Sequence, residues 1–175
     1  ALFMGFDHER IHLETSSVLI RELPVELVQR PAEWPKLHPS AGIETDFPPQ
    51  AGRDYPQPAL LDIPAAQVRI GKPANWPSFG WDNEYGERRV NVQAFRVESQ
   101  LVSNGAFLEF IQSGGYLEAQ WWTEAGWAWR GFRNSKWPSF WVPEGPAGLH
   151  RYRLRTQFET IPMPWNWPVE VNAHE

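Results

Sequence analysis

Seven prolines lie between positions 31 and 58, and they limit the secondary structure open to that whole stretch. They are Pro31, Pro35, Pro39, Pro48, Pro49, Pro56 and Pro58. Because proline lacks a backbone N–H and fixes φ, a segment this rich in it forms neither a regular helix nor a central strand. The pattern predicts three parts: a helical segment over 1–24, an extended linker over 25–58, and a second domain over 59–175.

The first part contains the segment FDHERIHLETSSVLIRELP, residues 6–24. Asp7 is a good N-cap, and Pro24 cannot continue a helix. The apolar residues expected near the inner face are Ile11, Val18 and Leu19. We therefore predict that residues 2–23 form one helix, or a turn that leads into a helix capped by Asp7.

His8 and His12 are four residues apart, which places both imidazoles on one face of that helix. Neutral imidazole is a ligand for zinc, iron, copper and nickel, so the pair can supply two adjacent ligands to one ion. Glu14 points away from His8 and is predicted to hydrogen-bond a ligand rather than to bind metal. Two hydrogen-bonded core histidines on a buried helix are the alternative.

His8, Glu9 and His12 also match the HExxH pattern of zinc proteases, in which the glutamate is the general base. The longer HExxHxxGxxH pattern is absent, because Thr15 and Val18 occupy its glycine and third-histidine positions. A zinc hydrolase that uses Glu9 as its base is therefore a competing interpretation.

The second domain is predicted to mix strands and helices, which makes the chain α+β. Short strands are expected at 60–63 and 67–70, and alternating apolar residues predict another over 89–98, interrupted by a bulge or turn at Gln93–Ala94. Ser103 is a plausible N-cap for a helix over 104–113 that ends at Gly114 and Gly115.

Tryptophans and arginines dominate the region that follows. Six tryptophans are crowded into a short span: Trp121, Trp122, Trp127, Trp129, Trp137 and Trp141. They favour the core of an irregular domain over a stacking platform for a ligand or partner. Arg151, Arg153 and Arg155 alternate along a predicted strand over 150–158, where a solvated charged face is favoured over a carboxylate site.

Composition excludes several classes of function. The 175 residues carry a net charge of -5 and a pI near 5.6, which argues against nucleic-acid or membrane-surface binding. With no cysteine, the chain has neither disulfides nor thiolate ligands, so a metal must be held by nitrogen and oxygen. Without a signal peptide or a membrane-spanning apolar run, a cytoplasmic location is the default expectation.

The blocks FDHERIHLETSSVLIRELP, PAEWPKLHPSAG, FGWDNEYGERRV, LVSNGAFLEFIQSGGY, WWTEAGWAWR and MPWNWPVEVN follow one another along the chain. In content and order they resemble the 5-histidylcysteine sulfoxide synthases of ovothiol biosynthesis, which are similar to the ergothioneine-pathway sulfoxide synthases. This resemblance implies a helix from a DinB-like bundle over 1–24, and the N-terminal part of a formylglycine-generating-enzyme-like, C-type-lectin-like domain over 59–175.

The resemblance further implies a non-haem iron(II) site held by three histidines, two of them in an HxxxHxE motif that His8, His12 and Glu14 match. Cysteine, histidine and O2 would be the small-molecule substrates of this oxidoreductase. Whether histidine or N-methylated histidine accepts the sulfur stays open, because the residues that would contact the amino group are not identifiable.

The departures from the family pattern predict an incomplete site. The family's third iron ligand lies upstream of this segment and its active-site tyrosine downstream, and Ala173 stands where an aromatic residue is expected. His38, His150 and His174 are not spaced to serve as the third ligand and are expected at the surface. We therefore expect an internal fragment with weak metal affinity and no turnover alone, which oligomerises if apolar surface is left uncovered. A non-catalytic binding or scaffold module is the remaining alternative.

Overall fold

The computed structural model describes residues 2–34, 37–41, 43–146 and 148–175. The described residues form a mixed α+β fold of two compact units. Unit 1 comprises Ala1–Val18 and Pro58–Gln100, and unit 2 comprises Leu19–Gln57 and Leu101–Glu175. The predicted division into 1–24, 25–58 and 59–175 stays a prediction, and its positions Ala1, Pro35, Lys36, Gly42 and Ala147 lie outside the described residues.

Helix α1 spans Leu2–Glu22, close to the predicted 2–23, and ends before Pro24. Asp7 lies inside this helix, so the prediction that it is the N-cap is wrong; the apolar residues before it extend the helix toward the N-terminus. None of the α1 residues is buried. The described residues do not cover the predicted inner face, since Ile11, Val18 and Leu19 are 46%, 37% and 65% exposed.

The strands of unit 1 form a long antiparallel ribbon. β1 (Leu60–Ile63) pairs with β4 (Phe95–Glu98), and β2 (Ala66–Ile70) pairs with β3 (Arg88–Val92). Both pairs share one register, with Ile63 opposite Phe95 and Ala66 opposite Val92. Pro64 interrupts the pairing because it has no N–H to donate. The predicted strands are confirmed. The irregularity predicted at Gln93–Ala94 is also present, because these residues interrupt the pairing opposite Pro64.

Unit 2 contains two helices and a three-stranded sheet. Helix α2 (Asn104–Gln112) is capped by Ser103, whose hydroxyl accepts a hydrogen bond from Ala106 N at 3.2 Å, as predicted. Helix α3 (Glu124–Arg133) begins at the N-cap Thr123. The antiparallel sheet consists of β5 (Trp141–Pro143), β6 (Tyr152–Arg155) and β7 (Thr160–Pro162). Sequence analysis missed α3 because its tryptophans and glycines are not typical helix formers.

The hydrophobic core lies in unit 2 and is largely aromatic. It consists of Tyr55, Phe107, Leu108, Ile111, Tyr116, Trp141, Tyr152, Met163 and Trp165. Of the six crowded tryptophans only Trp141 is buried; Trp122 and Trp137 pack against the core, and Trp121 is 59% exposed. The core prediction is therefore right for some of these tryptophans and wrong for Trp121.

Strand β6 differs from its prediction at one arginine. Arg153 keeps a partly exposed side chain, as expected for a solvated face. Arg155 is only 7% exposed, so a fully solvated charged face is wrong at that position. In the described parts of the chain no helix is both long and apolar enough to cross a membrane.

Candidate metal centre

His8 and His12 lie side by side on α1, as their spacing predicts. Their ring centroids are 4.4 Å apart and the rings are nearly perpendicular, with an interplanar angle of 80°. Both residues are exposed, and the His8 side chain retains 55% of its accessible surface. The alternative of two buried core histidines is therefore wrong for this chain. Two accessible imidazoles at this separation can approach one metal ion from the same side.

The acidic neighbours of the pair are solvent-exposed. Glu9 Oε1 lies 3.9 Å from His8 Nδ1, and its side chain is 76% exposed. Glu14, two residues past His12, is also exposed. Its backbone carbonyl accepts a hydrogen bond from the Ser17 hydroxyl at 2.6 Å. The predicted role of Glu14 as a partner of a metal ligand stays a prediction.

A hydrogen bond from a distant loop lies next to the histidines. Trp81 Nε1 donates to Asp7 Oδ2 at 2.6 Å, and Asp7 immediately precedes His8. The Trp81 backbone N–H donates to Glu84 Oε1 at 2.9 Å, which closes a short 3-10 turn at Asp82–Glu84. The block FGWDNEYGERRV is thus tied to the histidine helix within unit 1. The sequence patterns did not predict this contact, because Trp81 and Asp7 are 74 positions apart. The one signal in the sequence is the indole N–H, a donor that needs an acceptor when it is covered.

The loop that carries Trp81 is held closed at its base by a tight backbone crossing. Gly71 has φ +121°, and a Cβ there would lie 2.2 Å from the Gly86 carbonyl oxygen, so only glycine fits. Lys72 Nζ donates to Ser78 Oγ at 3.2 Å and to the Phe79 carbonyl. The predicted irregular, exposed loop over 72–86 is therefore ordered by its own hydrogen bonds, and its lysine side chain is largely covered.

The other three histidines lie in unit 2. His38 and His174 are exposed, as predicted, whereas His150 is half-buried, with Nδ1 3.5 Å from the Tyr152 hydroxyl. Within residues 2–34, 37–41, 43–146 and 148–175, no group of three or more His, Asp or Glu side chains is arranged to hold a metal ion. The described residues thus bring together two imidazoles, those of His8 and His12.

Comparison with curated proteins supports the predicted relationship to the sulfoxide synthase and formylglycine-generating-enzyme-like family. The chain is similar to hercynine oxygenase of Mycolicibacterium smegmatis, with 31% identity over 129 residues, 73% of this chain and 28% of that protein. It is 27% identical to ergothioneine biosynthesis protein 1 of Neurospora crassa over 115 residues, 63% of this chain and 13% of that protein.

A third relative is the formylglycine-generating enzyme of Bos taurus, 36% identical over 66 residues, 38% of this chain and 17% of that protein. The chain thus spans less than a third of the length of these relatives. No family model matches it. The expected relationship to the sulfoxide synthase-like proteins is supported at this level, whereas the names do not single out the ovothiol enzymes.

Proposed function

We propose that these residues form part of a non-haem iron(II), O2-dependent sulfoxide synthase that joins the sulfur of cysteine to the imidazole ring of histidine, as in ovothiol biosynthesis. The observation that carries the proposal is the exposed His8–His12 pair, with ring centroids 4.4 Å apart on one helix. The similarity to proteins named hercynine oxygenase supports the same reaction class.

The ligand types present fit iron(II). Imidazole nitrogens bind it well, and the absence of cysteine in this chain leaves the thiolate to be supplied by the substrate. His8 and His12 would hold the ion, and a third histidine would come from outside these 175 residues. When bound, iron(II) would supply coordination positions for a thiolate, an imidazole and dioxygen.

The residues of this chain orient that site. The backbone of α1 fixes the separation of His8 and His12, and the Trp81–Asp7 hydrogen bond restrains the helical turn that contains His8. Glu14 is proposed to hydrogen-bond a ligand or substrate group and so to limit its rotation. Oriented side chains of this kind convert an encounter of several molecules into one complex.

The same proposal assigns α1 to a DinB-like bundle and the second part of the chain to a formylglycine-generating-enzyme-like domain. The match to the Bos taurus enzyme supports the second assignment. The exposed apolar residues of α1 support the first, since a bundle helix covers such residues with neighbouring helices. A cytoplasmic location is proposed because reduced cysteine, the sulfur donor, is maintained there.

An anaerobic iron(II) titration of the 175-residue chain tests the metal proposal. We expect weak one-to-one binding that is lost in His8→Ala and in His12→Ala, and that is tightened by free imidazole, which can fill the third ligand position. His174→Ala is the matched control, because His174 is an exposed histidine in unit 2. Binding that both α1 variants leave unchanged would overturn the assignment of these ligands.

Oxygen consumption with cysteine and histidine, followed by mass spectrometry of the product, tests the reaction. We expect no turnover from these residues alone, because two ligands neither retain the metal nor orient the substrates. Sulfoxide formation that depends on His12 would place a third ligand within the chain.

The HExxH pattern gives the zinc hydrolase a specific observation in its favour, since Glu9 is accessible beside His8. That function predicts zinc binding and peptidase activity that Glu9→Gln abolishes. If no metal binds and His8→Ala changes nothing measurable, the chain is a non-catalytic binding module instead.

A further inference from the structure

A cleft of about 720 Å³ in unit 2 is lined by four cationic side chains and one carboxylate. The cations are Arg21, Arg133, Lys136 and Arg155, and the carboxylate belongs to Glu22. The sequence as a whole has a net charge of -5, so this local excess of positive charge runs against the balance of the chain. Cationic clefts concentrate anions from solution.

Arg155 is the most informative of these residues because it is 7% exposed. Its Nη1 donates to the Thr156 carbonyl at 2.7 Å and its Nη2 to the Leu23 carbonyl at 3.2 Å. Within the part of the chain that the structure describes, no carboxylate lies within ion-pair distance of it. Buried arginines are usually paired with an anion, because an unpaired buried charge is costly.

A second guanidinium raises that cost. Burial first, and then the charge of Arg21, lower the pKa of the Arg155 guanidinium below its ordinary value, and the negative charge of Glu26 offsets part of this effect. Arg21 is itself anchored by two hydrogen bonds to the Glu170 carboxylate, each 2.5 Å long, and its guanidinium carbon lies 3.8 Å from the centroid of the Phe140 ring. These contacts anchor the Arg21 side chain, which lines the same cleft as Arg155.

The remaining cations stand at the solvent side of the same cleft. Arg133 ends helix α3, Asn134 follows it in the left-handed conformation with φ 51°, and Lys136 is exposed two residues later. The aromatic side chains of Phe140 and Trp137 form an apolar part of the cleft wall. The cleft therefore combines a buried, hydrogen-bonded guanidinium with exposed cations, and its chemistry matches carboxylate or phosphate oxygens.

We propose that this cleft binds a small molecule that carries a carboxylate or phosphate group, with Arg155 and Arg21 at its inner end and Arg133 and Lys136 at its mouth. The oxyanion supplies a direct ion-pair partner, which Arg155 does not have among the described residues because Glu26 lies beyond ion-pair distance. The proposal does not depend on the iron-site function, because every residue that it uses lies in unit 2 and contributes no metal ligand.

Calorimetric titration of the 175-residue chain with inorganic phosphate, and separately with malonate, tests the proposal at low ionic strength, where screening is weakest. We expect saturable one-to-one binding of at least one anion, and the tighter of the two identifies the oxyanion. The bound anion should also raise the midpoint of thermal unfolding as its concentration rises. If neither anion binds saturably, the proposal is overturned.

The double variant Arg133→Ala/Lys136→Ala should weaken the anion affinity about tenfold, because it removes two of the four positive charges that line the cleft. Arg69→Ala/Arg96→Ala is the matched control: it removes the same charge from the ribbon, where both side chains are exposed. Equal weakening of anion affinity in both double variants would show that only the net charge of the protein matters. That result would overturn the proposal that the cleft binds the anion.

Arg155→Gln tests the inner end and should abolish saturable binding. Circular dichroism checks that this variant folds, and the exposed double variant keeps the test decisive if it does not. Retained affinity in a folded Arg155→Gln protein would also overturn the proposal. No iron is present in these titrations, so their outcome is separate from that of the metal experiment.

Discussion

Trp81 is the side chain that joins two distant blocks of the sequence in unit 1. Its indole N–H donates to the carboxylate of Asp7, one residue before His8. Local patterns identified the histidine pair, because both imidazoles belong to one helix and a spacing of four fixes their geometry. They did not identify this contact, which depends on how the loop over 72–86 closes.

Trp81→Phe should lower the free energy of unfolding of unit 1 by about 1–2 kcal/mol, because the ring is kept while a hydrogen bond to a charged group is lost. Urea denaturation monitored by circular dichroism measures the change. Trp76→Phe is the control, since Trp76 is 57% exposed and should change stability little. Equal effects of the two substitutions would mean that the Asp7 contact is not stabilising.

At the scale of single elements, helices α2 and α3 differ in how closely other side chains approach their backbones. In α2 a Cβ at Gly105 would lie 2.2 Å from the Tyr55 ring, whereas in α3 nothing lies within 4 Å of a Cβ at Gly131. The Tyr55 hydroxyl also donates to Glu109, which holds that ring against α2. Helix α2 was predictable from its cap, but the close approach at Gly105 was not.

Gly105→Ala should therefore destabilise the protein by about 1–3 kcal/mol, as overpacking in a core does. Gly131→Ala, the same substitution in an open helical position, should stabilise it by about 0.5–1 kcal/mol through the higher helix propensity of alanine. Thermal unfolding of both variants gives the comparison. A stabilising Gly105→Ala would show that Tyr55 moves aside at little cost.

At the scale of the whole molecule, the two units differ in what holds them together. Every residue of the hydrophobic core belongs to unit 2. The ribbon of unit 1 is two strands wide, and most of its residues are exposed on both faces. Ribbons of two strands are marginally stable unless another layer covers one face.

Amides of β2 and β3 should accordingly exchange with solvent deuterium at least about a hundredfold faster than amides of α2, because opening the ribbon exposes little apolar surface. Hydrogen exchange with mass spectrometry, corrected for intrinsic exchange rates, measures the ratio. Equal protection of the two elements would indicate that the ribbon is covered in solution, for instance by a second copy of the chain.

The features that depend on neighbours along the chain were predictable from the residues alone. These are the end of α1 before Pro24, the strands of the ribbon, the Ser103 cap of α2, and the placement of His8 and His12 on one helical face. Each follows from proline geometry, alternation or helical periodicity, which act over a few residues.

The three-dimensional structure was needed to show which side chains are covered and which distant groups meet. It left the apolar residues of α1 exposed, buried Arg155 beside Arg21, brought Trp81 to Asp7 and packed Tyr55 against Gly105. Burial and long-range contacts depend on which segments close over one another, and hydrophobic periodicity does not specify that choice. Arg155 illustrates the difference: its alternation in β6 predicted a solvated face, and the cleft that it lines is built from the end of α1 and from residues 133–142.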